Sequence, residues 1–319
     1  MTRVSTTQQS QALIQQMLNS QSKVQDTQRQ VTTGKVAEFY KDIYQDTASL
    51  TASKSLLARL EQHKQNDGVV QSGLSAYDQA LAGMERAGTD LKEAAMGAIS
   101  ASSALGLEAT VEGVFEAVTG FMNSQDTEGY MFSGSKKDVS PINISSMSDL
   151  LTALQPPTDI YDNDMLKRTV RIDENRTLET GILASDVSLD IMTAIQRIAL
   201  WQAGSIPTTT PVPTGPAGPI TTPLRQEDQA FLTGEIANLE QLVRDLNQVR
   251  GVNGLNQKVL EGTVESLDLQ INQTTIFISD IEDVDAATAV VNLNQANFAL
   301  ESSYNVLSRI NNVSLLNFL

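Results

Sequence analysis

Residues 290–311 read VVNLNQANFALESSYNVLSRIN, and their apolar spacing decides the fold class. Val290, Leu293, Asn297, Leu300, Tyr304, Leu307 and Asn311 alternate three- and four-residue steps, the seam period of a coiled coil. Val291, Phe298, Val306, Ile310 and Val313 widen that face. After Glu301 the only charge is Arg309, and the chain closes on Leu315-Leu316-Asn317-Phe318-Leu319. A weaker version of the pattern opens the chain. Ile14, Met17, Gln21, Val24, Gln28 and Val31 keep the same alternation within a glutamine-rich stretch, and Gly34-Lys35 reads as its stop.

Between these ends, proline divides the chain. All nine prolines fall between Pro141 and Pro223, and a proline inside a helix costs about 3 kcal/mol. The proline-free flanks therefore read as helical. Leu50, Leu57 and Leu60, then Val69, Val70, Leu74, Tyr77, Leu81 and Met84, form helical stripes, with breaks expected near Gly68 and Ser102–Gly106. Gln226–Gln273 resumes the pattern, with an interruption expected at Gly251 and Gly254. The middle differs. Tyr130-Met131-Phe132 is strand-like, Arg168–Ile172 and Arg176–Thr180 read as a β-hairpin, and Val187–Trp201 returns to helical spacing. Pro207–Pro223 has almost no large apolar group to bury and reads as an extended surface loop.

The predicted fold is mainly α and elongated: long N- and C-terminal helices form a coiled-coil arm, beside a helical middle domain with a small β-containing insert. Its segments are an N-terminal assembly arm (1–45), a helical middle domain (46–135 and 226–275), a β-containing outer module (136–225) and a C-terminal assembly arm (276–319). Ordering two such arms costs backbone entropy that a single two-helix seam does not offset. The arms are therefore expected to be poorly ordered in a lone subunit and to become helical when neighbouring copies cover their remaining faces. The assembly seam would use Ile14, Met17, Val24 and Val31 of the first arm. In the last arm it would use Val290, Leu293, Phe298, Leu300, Tyr304, Leu307, Ile310, Leu315, Leu316, Phe318 and Leu319. The rival reading is a closed bundle with both ends packed on its own body.

Composition narrows the function. A formal charge of -16 disfavours a nucleic-acid groove and an anionic membrane surface. The absence of cysteine excludes disulfides, thiol nucleophiles and Cys-rich zinc sites. No basic and apolar leader opens the chain and no long apolar run spans a membrane, so export, if it occurs, is expected to use something other than a cleaved secretory signal. Enzyme signals are weak. Gly34-Lys35 lacks the phosphate-loop partners, since Arg29 and Val36 occupy their positions. Ser133-Gly134-Ser135-Lys136 and Ser20-Gln21-Ser22-Lys23 match a Ser-x-x-Lys pattern without its companion motifs. The acidic groups Asp280, Glu282, Asp283 and Asp285, and Asp159, Asp162 and Asp164, lack calcium-loop spacing and read as solvated faces. His63, the one histidine, reads as exposed. No catalytic, metal or cofactor site is nominated.

Several stretches together resemble the flagellin superfamily and, within it, the flagellar hook–filament junction proteins (the third hook-associated protein). They are Arg3-Val4-Ser5-Thr6, Val31-Thr32-Thr33-Gly34-Lys35, Tyr130-Met131-Phe132-Ser133-Gly134 and, above all, Gln295-Ala296-Asn297-Phe298 through Leu307-Ser308-Arg309-Ile310 to Ser314-Leu315-Leu316-Asn317-Phe318-Leu319. Glu38–Tyr44 departs from that family's usual proline-containing segment. The resemblance implies a structural adaptor in a homo-oligomeric ring between the first hook-associated protein and flagellin. It also implies location in the extracellular flagellum, type III export, and an export chaperone on residues of the last arm. A filament flagellin, a type III-secreted effector or tip protein, and a carboxylate hydrolase carried by the insert are the alternatives.

Overall fold

The computed structural model describes residues 2–37, 39, 44–173, 176–204 and 220–316. Among these, the helices are α1 (Thr2–Thr33), α2 (Thr47–Ala101), α3 (Leu107–Met122), α4 (Met147–Thr152), α5 (Ala184–Gln202), α6 (Gln226–Glu282) and α7 (Ala286–Leu316). Two antiparallel ribbons complete the regular structure: β1 (Gln125–Asp126) with β2 (Gly129–Tyr130), and β3 (Thr169–Asp173) with β4 (Arg176–Glu179). The class is mainly α, as the proline distribution predicts. The chain divides into two compact units, residues 1–62 with 267–319 and residues 63–266.

In the unit of residues 63–266, helices α2, α3, α5 and α6 share one core. Leu81, Met84 and Leu91 meet Val111, Phe115 and Val118, Ile191 and Ile195, and Leu232, Leu239 and Leu242 there. Parts of the segment between β2 and α6 add to that core, through Ile142, Leu150, Ile160 and Trp201. A Ser146–Asp149 capping box starts α4, and Gln196 Nε2 donates to the carbonyl of Leu150 at 2.8 Å, tying α4 to α5.

Three local expectations are corrected. Helix α2 runs unbroken through Gly68, and α6 through Gly251 and Gly254. A helical glycine costs only about 1 kcal/mol relative to alanine, and the buried stripes on either side outweigh that. The break at Ser102–Gly106 is present, with Gly106 at φ 85° in the left-handed region. Tyr130-Met131-Phe132 is strand only at Tyr130. Phe132 instead turns into the core, edge-on to Tyr77 with centroids 5.0 Å apart, while Tyr77 Oη donates to the carbonyl of Met131 at 2.6 Å. The expected hairpin is present, pairing Val170 with Leu178 and Arg171 with Thr177. Helix α5 covers Val187–Trp201. Most of the Pro207–Pro223 loop lies outside the described residues.

Candidate assembly surface

In the unit of residues 1–62 and 267–319, α1 packs on α7. The two helices run antiparallel, because the end of α1 is stitched to the start of α7. Val36 N donates to the Glu282 carbonyl at 2.8 Å and Val284 N donates to the Gly34 carbonyl at 2.9 Å, closing a short antiparallel bridge. Gly34 makes this exit possible with φ 70°, a backbone state that side-chain-bearing residues avoid.

Acidic residues that read as a solvated face from sequence have partners here. Lys35 Nζ lies 2.7 Å from Asp283 and 3.7 Å from Glu282, and Lys54 Nζ lies 2.8 Å from Glu282. The hydrogen bond from Lys35, then that from Ser279 Oγ, holds the Asp283 carboxyl below its ordinary value. Asp285 caps α7, accepting from Thr288 N at 2.8 Å. The one sequence signal for this knot was the lysine directly after the stop glycine.

The seam between α1 and α7 follows the expected period in a different register. In α1 the covered positions include Leu13, Met17, Ser20, Val24 and Thr27, with Gln30 after them; in α7 they include Ala289, Leu293, Ala296, Leu300, Ser303 and Leu307, with Ser302 beside Ser303. Apart from Gln30 and Ser302, both sets alternate four- and three-residue steps. Met17, Val24, Leu293, Leu300 and Leu307 therefore face the partner helix of the same chain. Their companions are small residues one position earlier than the expected Gln21, Gln28, Val290, Asn297 and Tyr304, with Leu13 in place of Ile14. Small side chains let two helices approach closely, and their hydroxyls are satisfied by the helix's own carbonyls. Ser20 Oγ donates to Gln16 O at 3.0 Å, Thr27 Oγ1 to Lys23 O at 2.8 Å and Ser303 Oγ to Ala299 O at 2.8 Å.

This register turns the larger apolar groups outward. Ile14 and Leu18 of α1 are exposed, as are Val290, Val291, Phe298, Tyr304 and Val306 of α7, with Phe298 73% accessible. Ile310, Leu315 and Leu316 continue α7, their side chains lying outside the description; Phe318 and Leu319 lie outside the described residues. The pair thus has a partly covered inner seam of small and aliphatic groups and an uncovered outer face of larger apolar ones.

Candidate chemistry elsewhere resolves into structure. Ser133 Oγ donates to Tyr130 O at 3.0 Å, Lys136 Nζ to Asp162 O at 2.9 Å, and Ser135 Oγ bonds Asp164. His63 is half-buried rather than exposed. Among the described residues no cluster of His, Cys, Asp and Glu is arranged to hold a metal, and no helix is long and apolar enough to cross a membrane.

Residues 236–319 match the bacterial flagellin C-terminal helical region. That span includes the stretch on which the flagellin resemblance chiefly rests. No curated protein matches the chain. In fold, the chain is similar to a Vibrio parahaemolyticus structure described as a flagellar hook-associated protein, with TM-score 0.59 and 12% identity over 76% of this chain and 100% of that one. It is also similar to FlgL of Bacillus cereus, with TM-score 0.54 and 11% identity over 71% of this chain and 98% of that one.

Proposed function

We propose that this chain is a non-enzymatic structural subunit of the bacterial flagellum, an adaptor at the hook–filament junction that polymerises through α1 and α7. The observation that carries the reading is the outer stripe of that helix pair. Ile14, Val290, Phe298 and Tyr304 stay exposed after α1 and α7 have packed on each other, which leaves them to be covered by another molecule. Related helix pairs on copies of the same chain supply a matching stripe by symmetry. The flagellin C-terminal region at 236–319 and the fold shared with hook-associated proteins support the flagellar setting.

The partners in this role are other copies in a ring, the first hook-associated protein on one side and flagellin on the other. Before export through the type III apparatus, the apolar stripe of the last arm would be exposed in the cytoplasm; a chaperone on residues 276–319 would cover it. Deleting the gene is expected to leave hooks without filaments and flagellin shed into the medium. Immunogold labelling of intact flagella is expected to mark a single band at the hook–filament boundary. Label along the whole filament would make the chain a filament flagellin, and normal filaments after deletion would exclude the junction role.

A further inference from the structure

Asp67 lies in α2 within the unit of residues 63–266, on the face covered by α6 and the hairpin β3–β4. It is 1% accessible, and neither carboxylate oxygen has a hydrogen-bond partner among the described residues. On the same face of α2, Val70 and Leu74 join an apolar cluster with Ile172 and Leu178 of the hairpin and Val259 and Leu260 of α6. Hydrogen bonds fix the three elements together. Asn253 Nδ2 of α6 donates to Leu74 O of α2 at 2.8 Å, and Asn256 Nδ2 donates to Glu179 O of β4 at 2.9 Å.

The charges that act on Asp67 are few. From α2, half-buried His63 stands one turn earlier and favours the ionised carboxyl; from β3, Asp173 opposes it. The covered positions of α6 here are Val259, Leu260, Thr263 and Val264, all uncharged, while Lys258, Glu261 and Glu265 are exposed. On β4 the inward residue is Leu178, with Arg176 and Glu179 exposed. A buried carboxylate without a donor is disfavoured in its charged form.

We propose that Asp67 makes the docking of the β3–β4 hairpin on α2 and α6 proton-dependent, seated when the carboxyl is neutral and loosened when it is ionised. Burial, the largest influence, pushes the carboxyl up to about 6, so the closed arrangement holds the proton more tightly than an opened one does. Closure is therefore favoured at low pH and weakens as pH rises from the ordinary aspartate range through about 6. Linkage sets the size: local opening should become about tenfold more frequent between about pH 5 and pH 7.5. The device is independent of the assembly role.

Native-state hydrogen exchange on the full chain, corrected for the intrinsic pH dependence of exchange, reads this directly. Amides of residues 169–173 and 176–179 should lose about tenfold in protection across that range, while amides around Ile195 in α5 hold theirs. Asp67→Asn, which keeps the shape and cannot ionise, should abolish the dependence. Asp173→Asn should move the midpoint to lower pH and His63→Gln to higher pH. Hairpin protection that stays constant with pH in the parent protein, or the same dependence retained in Asp67→Asn, would overturn the proposal.

Discussion

Asp228 is buried in the first turn of α6, and its two oxygens are fully used. Trp201 Nε1 donates to Oδ1 at 2.9 Å, and Arg225 donates to Oδ2 through Nε at 2.9 Å and through its backbone N at 3.1 Å. Burial alone would raise the carboxyl's proton affinity, but the hydrogen bonds from Arg225 and Trp201 prevail and hold it below the ordinary value. A depressed carboxyl contributes stability above its unfolded-state value and loses it as pH falls through the folded one. Asp228→Asn should therefore cost about 2 kcal/mol at neutral pH, and urea unfolding should show that difference from the parent shrinking as pH falls below the ordinary aspartate range. None of this was legible in the sequence. Trp201 and Asp228 lie far apart in the chain with no motif between them, and only the packing of α5 on α6 joins them. Asp67 was hidden for the opposite reason. Its neighbour Gly68 made the pair look like a helix break, whereas tertiary burial carries α2 straight through it.

The helices themselves were easier to read than their faces. The 3.5-residue alternation in α1 and α7 was visible, as were the 169–179 hairpin and the stop at Gly34. The register of the seam was not, because scoring by hydrophobicity puts the largest groups inside. A close antiparallel pair instead takes Ala289, Ala296, Ser20 and Thr27 and leaves Phe298 and Val290 outside. Two substitutions separate these roles. Ala296→Leu should crowd the inner seam and destabilise the α1–α7 pair by about 1–3 kcal/mol, seen as earlier thermal unfolding of the isolated subunit. Phe298→Ser should leave that unfolding unchanged and lower the extent of polymerisation measured by light scattering. Equal effects of both variants on the lone subunit would mean that Phe298 is an inner residue. A glycine in α2 makes a similar point about close approach. A Cβ on Gly83 would overlap the Phe121 ring, so the ring of α3 occupies space on α2 that a missing side chain leaves. Gly83→Val is expected to destabilise by about 1–3 kcal/mol in chemical denaturation, and Phe121→Ala in the same chain should recover part of the loss.

For the whole molecule, charge and apolar surface act against each other. Each copy carries a formal charge of -16, so copies repel at low ionic strength, while the outer stripes of α1 and α7 attract once they touch. Raising salt should shorten the lag before polymerisation; a lag that lengthens with salt would point to ion pairs, rather than apolar contact, as the main subunit bond. The covered seam between α1 and α7 is narrow, with six large aliphatic or thioether side chains half-buried and the rest of the stripe uncovered. A contact of that size offsets little of the backbone entropy of two long helices, whereas the core shared by α2, α3, α5 and α6 is closed on several sides. Limited proteolysis of the dilute subunit should therefore cut within α1 and α7 before it cuts within α3 or α5. Polymerisation should protect α1 and α7 and increase the helical signal in circular dichroism. If both helices resist protease in the lone subunit as long as α5 does, and circular dichroism does not change on assembly, the terminal pair is complete by itself. In that event the outer stripe alone, without coupled folding, would have to account for association.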